Sequence, residues 1–371
     1  MGVHTDDLIA AHQRNVLATL VNLQLEALLV TIPENRRYLT GFRARETSPV
    51  ESAGWLLLHT RDSYLVTGFT ECEGARHETV RCELVRAEGK VADSMLTLMR
   101  NIGIHRLGFE SDYLTFAQYQ KLSEGLGEEV ELVPTHGIVE RFRVVKDAME
   151  LASLRKAIRL TDDVMDEVMG IIRPGMTERE VAWELDRRMW ERGADGLSFE
   201  TLVASGPNSA VPHAKPTDRP IAEGEPVFID VGARMDGYCA DLTRSVCLGE
   251  AGNKFRELYA LVLKAQETAI HYARPGLSGA AIDTFARDII AGAGYGDAFG
   301  HGLGHGIGLA VHESPRIASK DAAEPIAENM VFAVEPGVYL PGWGGIRIED
   351  VVLATPHGVE VLSKARKDMV I

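Results

Sequence analysis

Two stretches about a hundred residues apart decide the fold: IIRPGMTEREVAWELDRRM (171–189) and HYARPGLSGAAIDTFARDI (271–289). Each follows one amphipathic stretch and opens another, with RPG stopping the first helix so that the next begins almost at once. In the first copy Thr177 and Glu180 have the spacing of a capping box. The echo runs on into strands, where PVFIDVG (226–232) is matched by MVFAVEPG (330–337). Solenoid repeats are shorter than this, so the pattern predicts a duplicated half-domain. Two helix pairs and two strand pairs about a pseudo-twofold axis make an α+β architecture, with one site fed by both halves.

Outward from the duplication, the N-terminal part reads differently. A chain of 371 residues predicts two domains at roughly 100–200 residues each. EALLVTI (26–32) and AGWLLLHTRDSYLVTG (53–68) have strand character, the second as a hairpin turning at TRDS, while 90–101 and 114–126 have helical spacing. These predict a small α/β domain over residues 1–143. The amphipathic stretch 147–172 then opens a second domain over 144–371.

A composition of 45% hydrophobic and 25% charged residues is that of a soluble globular protein. The net charge of -15 and the absence of a long basic run argue against nucleic acid as a partner. Cys72, Cys82, Cys239 and Cys247 lack CxxC spacing and predict free thiols in a reducing compartment. The start MGVHTDDLIAAHQRN has no basic segment leading into an apolar one, which predicts a cytoplasmic location. Runs such as WLLL (55–58) are too short to span a bilayer, so no membrane association is expected.

The chemistry concentrates in the second domain. In PVFIDVGARMDGYCADLTRSV (226–246), Asp236-Gly237 is a hairpin signal that brings Asp230 and Asp241 across from each other. Two carboxylates facing each other in a sheet repel unless a cation or proton lies between them. Glu335 ends the apolar run from Met330, and in GGIRIEDVVLAT (344–355) alternation points Arg347 and Glu349 the same way, as a simple ion pair also would. HGLGHGIGLAVHE (301–313) adds His301, His305 and His312 among glycines at 302, 304, 306 and 308, expected to let the backbone approach a crowded cation. Neither HESPR (312–316) nor HETVR (77–81) completes an HExxH zinc motif, and the glycines fail the GxGxxG pattern. One histidine with four carboxylates is an oxygen-rich set that suits manganese or cobalt and admits two ions about 3.5–4 Å apart around a water.

These segments, with VASGPNSAVPHAKPTDRPI (203–221), resemble the pita-bread metallopeptidase superfamily, which includes methionine aminopeptidase, prolidase and aminopeptidase P. ENRRYLTGF (34–42) resembles the N-terminal domain of the proline-specific members. The resemblance implies two divalent ions per subunit, manganese or alternatively cobalt or zinc. Asp230 would bind one ion, Asp241 and Glu349 would bridge, and His305 with Glu335 would complete the other. It also implies His213, His301 and His312 near the scissile bond, with Tyr339 and Arg347 in the substrate pocket. The implied activity is hydrolysis of the bond between an N-terminal residue and a following proline, in a homodimer. The bridging water attacks, Glu335 shuttles its proton, and His213 and His312 assist. An Xaa-Pro amide is tertiary and lacks N–H, so peptidases that grip an extended backbone handle it poorly. Moderate length favours a dipeptidase (prolidase) over aminopeptidase P, while Arg347 and the extra domain argue against methionine aminopeptidase. The intact ligand set argues against a creatinase-like amidinohydrolase and a non-catalytic peptide-binding module.

Overall fold

The computed structural model describes residues 5–44, 46 and 48–371. Chain contacts divide it into two compact units, Met1–Arg143 and Val144–Ile371. In the first, six strands lie in the order Glu83–Arg86, Ser63–Thr67, Gly54–His59, Ala27–Val30, Arg106–Glu110 and Glu131–Thr135. The TRDS hairpin forms as expected, with Leu58 opposite Ser63. Ala27–Val30 pairs antiparallel with Gly54–His59 and parallel with Arg106–Glu110, so the sheet is mixed. The helices Val91–Ile102 and Phe116–Leu126 bury Met95, Met99, Leu122 and Leu126 against Trp55, Leu57 and Leu107, as their spacing requires. The ENRRYLTGF stretch is a short helix, Pro33–Thr40. Its polar groups are engaged internally: Asn35 donates to Glu110 at 2.6 Å and Arg36 pairs with Glu46 at 2.6 Å.

The second unit carries the duplication in its backbone. Helices Ala148–Met169 and Glu178–Glu191 in the first half answer to Asn253–Tyr272 and Gly279–Gly292 in the second. The Thr177 hydroxyl accepts from Glu180 N–H at 3.1 Å while Glu180 accepts from Thr177 N–H at 2.8 Å, closing the capping box. Ser278 caps the matching helix by accepting from Ala281 N–H at 3.2 Å. Both RPG turns pass through a glycine at φ 90°, Gly175 and Gly276. Each donates at 2.8 Å to the carbonyl of an isoleucine, Ile221 and Ile326.

The strands repeat too. Leu242–Cys247, Pro226–Val231 and Leu202–Ser205 form an antiparallel sheet in that order. Asp350–Thr355, Val331–Val334 and Gly304–Gly306 form the same antiparallel trio inside a five-stranded sheet. Each half buries its own apolar face, around Val164, Leu185, Val227 and Ile229 in one and around Val262, Ile290, Phe332 and Val352 in the other. All four cysteines are free thiols. Among the described residues no helix is long and apolar enough to cross a membrane.

Candidate metal centre

Both halves end their inner strand pair in an outer pair that keeps the same register, and the acids sit at the break. In the first half Asp230 lies opposite Thr243, and Arg234 opposite Cys239, around a turn whose Asp236 and Gly237 both have positive φ. That register carried across the break sets Asp241 opposite Gly232. Asp241 is therefore the diagonal neighbour of Asp230 on the same face, and the expected direct pairing is corrected: Thr243 faces Asp230. In the second half Val334 lies opposite Asp350 and Gly337 opposite Arg347, which sets Glu335 against Glu349. His305 comes from the neighbouring strand, held to this hairpin by the bond from Glu335 N–H to Leu303 O at 2.7 Å.

Asp241, His305 and Glu349 each present a ligand atom within 4.8 Å of the others. His305 Nε2 lies 3.6 Å from Asp241 and 3.5 Å from Glu335, beyond ordinary hydrogen-bond length. Its Nδ1 is 3.1 Å from Gly306 O, which can only accept, so the ring proton belongs on Nδ1 and Nε2 keeps its lone pair for the cluster. Burial and the neighbouring His312, whose ring centroid is 4.2 Å away, pull His305 down to about 4.

The glycines around His305 serve the sheet. A Cβ on Gly304 would stand 1.9 Å from Ala333 O, and one on Gly306 2.1 Å from Ser314 O. They let neighbouring strands close on the His305 strand.

Arg347 is buried against Asp230, which it contacts through Nη2. Its Nε donates to Thr243 at 3.0 Å, and its Nη1 donates to Tyr339 at 2.8 Å and to Pro212 O at 3.0 Å. The guanidinium also lies over the Phe228 ring at 4.7 Å. Tyr339 in turn meets His301 Nε2 at 3.1 Å, and His301 Nδ1 meets Gly302 O at 2.8 Å. Burial and then Arg347 hold His301 down at about 4. His312 is exposed, with its pKa lowered by partial desolvation and by His213. His213 is exposed and acts electrostatically on both His301 and His312.

Sequence reasoning missed Thr243, Phe228 and the Pro212 carbonyl. Thr243 was accessible by counting rungs back from the Asp236-Gly237 turn, and the other two carry no signal in the sequence.

Four carboxylates thus converge with one guanidinium reaching two of them, Asp230 and Glu335. Burial, then repulsion from Glu349, Asp230 and Glu335, drives Asp241 well above the carboxylate range. Burial, then Glu335 and Asp230, does the same to Glu349. Glu335 rises to about 8, chiefly through burial and against the pull of Arg347. Asp230 Oδ1 and Glu349 Oε1 are buried without any hydrogen-bond partner. Buried acceptors left unpaired beside an imidazole lone pair fit divalent cations, which would supply both the missing partners and the missing positive charge.

Residues 152–356 match metallopeptidase family M24, and residues 13–145 match the creatinase/prolidase N-terminal domain. The chain is 34% identical to an Xaa-Pro dipeptidase of Pyrococcus furiosus, over 93% of this chain and 95% of that protein. Among solved structures, an Xaa-Pro dipeptidase from Bacillus anthracis is 35% identical with a TM-score of 0.90, covering 98% of this chain and 100% of its own. An X-Pro aminopeptidase from Thermotoga maritima is 34% identical with a TM-score of 0.84, covering 95% and 100%.

Proposed function

The chain belongs to metallopeptidase family M24, with the pita-bread fold and the creatinase/prolidase N-terminal domain, and we propose that it is an Xaa-Pro dipeptidase using two divalent ions. The observation that carries this reading is the Asp241–His305–Glu349 cluster with its unpaired buried carboxylate oxygens. Asp230, Asp241, His305, Glu335 and Glu349 would hold the ions. When bound, such ions acidify a water for attack and polarise a carbonyl.

The protein's own groups divide the remaining work. Glu335 accepts the attacking water's proton and delivers it to the prolyl nitrogen. His312 and His213 lie on the exposed side of the cluster, where they steady charge developing at the scissile bond. His301 stays neutral near pH 7 and with Tyr339 forms the pocket wall. Arg347 already donates to Asp230, Thr243, Tyr339 and Pro212 O. Engagement of all three guanidinium nitrogens supports a role in holding this network over one in capturing a substrate carboxylate.

Manganese as the resident ion, assembly as a homodimer and a cytoplasmic location complete the proposal. A second reading, aminopeptidase P acting on longer peptides, is favoured by the similarity to the Thermotoga maritima enzyme. Product analysis on manganese-loaded protein decides between them. Cleavage confined to an Xaa-Pro dipeptide supports the dipeptidase, and preference for the same sequence extended by one or more residues supports the aminopeptidase. Cleavage of neither overturns proline-specific hydrolysis.

A further inference from the structure

Glu349 is gripped at every polar atom but one. Its N–H donates to Thr243 O at 3.1 Å, its carbonyl accepts from Arg244 Nη1, and its Oε2 accepts from the Thr243 hydroxyl at 2.8 Å. The atom left over is Oε1, buried and without a partner. One dipeptide of the first half thus fixes the backbone and one carboxylate oxygen of a second-half acid and leaves the other oxygen free for a ligand.

Strand alternation explains how two adjacent residues do this. Thr243 faces the acids, and Arg244 points to the opposite side, where its side chain is 1% exposed. Arg244 Nη1 also donates to Thr243 O at 3.0 Å, and Nη2 donates to Asp350 at 2.8 Å and to Ala365 O at 2.9 Å. Nε reaches Arg366 O at 3.1 Å, so all five N–H groups are used. The socket is itself pinned. Asp162 of the first half accepts from Lys364 and Ala365 N–H at 2.8 and 3.0 Å, and Ser363 accepts from Val351 N–H of the second half at 2.9 Å. Asp350 is held from the far side by Lys367 at 2.5 Å and Gln266 at 3.2 Å.

We propose that Thr243 and Arg244 are positioning residues that aim Glu349 Oε1 into the metal centre, with segment 363–367 as the socket that locks Arg244. The inference rests on the metal reading above and goes beyond it by assigning residues that bind no ion themselves. Partners behind a ligand of this kind characteristically change metal affinity about 10–100-fold when lost.

The test titrates the metal-free full chain with Mn2+ alone by calorimetry, with melting temperature measured in parallel. Arg244→Lys keeps the charge and loses the fork, while Thr243→Val loses the hydroxyl and Thr243→Ser keeps it. The expected result is two ions in the wild type, about 10–100-fold weaker binding of at least one ion in Arg244→Lys and Thr243→Val, and recovery to within a few-fold in Thr243→Ser. Ile290→Val, in the second-half core, lowers the melting temperature without shifting affinity. If Arg244→Lys does not fold, the threonine pair decides. Wild-type affinity for both ions in Thr243→Val, or in a folded Arg244→Lys, overturns this inference alone. A wild-type chain that takes up no Mn2+ overturns the metal reading and this inference with it.

Discussion

The two halves of the second unit share a backbone plan and divide the chemistry, and they differ most at the third strand of the repeated trio. In the first half that strand, Leu202–Ser205, carries ordinary side chains. It is tied to the adjoining helix by Glu178, whose carboxylate accepts from Ser205 N–H and hydroxyl at 2.8 Å each. In the second half the strand is Gly304–Gly306, and the matching helix begins with Gly279, where a Cβ would stand 2.0 Å from Arg316 O. One copy is a buttress held by a carboxylate. The other is stripped of side chains except His305, so the layers close up and the imidazole reaches the acids. The pairing and the helix caps recur in both halves, and the acids sit at the hairpin breaks: Asp230 and Asp241 on one side, Glu335 and Glu349 on the other.

The largest expected effect lies in the second half. Glu335→Gln should lower kcat on an Xaa-Pro dipeptide by about 10²–10⁴-fold with the fold intact, because it removes the proton acceptor. Retention of most of the rate would move the base elsewhere, perturbing the division of labour between the halves. The strand difference itself is sharpened by a reciprocal exchange followed by urea unfolding. Gly304→Ala should cost about 1–3 kcal/mol or more, since its Cβ would collide with backbone at 1.9 Å. Ala204→Gly in the first half should cost about 0.5–1 kcal/mol. Equal costs would mean that the two strands are not under different packing demands.

A smaller effect is expected from Tyr339→Phe, which removes the hydroxyl between Arg347 and His301. A loss of about tenfold in kcat/KM corresponds to one hydrogen bond to a charged group, and unchanged kinetics would remove Tyr339 from the pocket.

A further effect is on stability against pH in the metal-free protein. Glu335, at about 8, together with Asp241 and Glu349, holds protons that the unfolded chain has released. That stabilisation is complete below the ordinary carboxylate range and is lost as pH rises through the folded values. His301 and His305, at about 4, act in the opposite sense, losing stability as pH falls from about 6.5. Between about 6.5 and 8 the carboxylates alone remain, so the melting temperature in EDTA should fall across that window. Saturating Mn2+ should flatten the curve, and a flat curve in EDTA would contradict the burial of these acids.

Local features were legible in the sequence because local chemistry determines them. The Thr177–Glu180 box, the Asp236-Gly237 turn and the hairpin over 54–67 each depend on a few neighbouring residues. The four acids and the one imidazole that converge in the structure were legible through their motifs. Pattern alone could not say what the missing Cβ atoms at 304 and 306 make room for, because a glycine that admits a strand reads like one that admits a ligand. The Arg244 socket was equally hidden, since its partners at 349, 350, 365 and 366 lie more than a hundred residues away and follow no period.

The central claim, that acids of the first half and a histidine of the second hold one centre, is tested most directly by metal content. Mn2+ bound per chain should be measured side by side for the wild type, Asp241→Asn and His305→Ala. The account predicts two ions in the wild type and a loss in both variants. Full occupancy in either variant would contradict it, because one half could then hold the metals without the other.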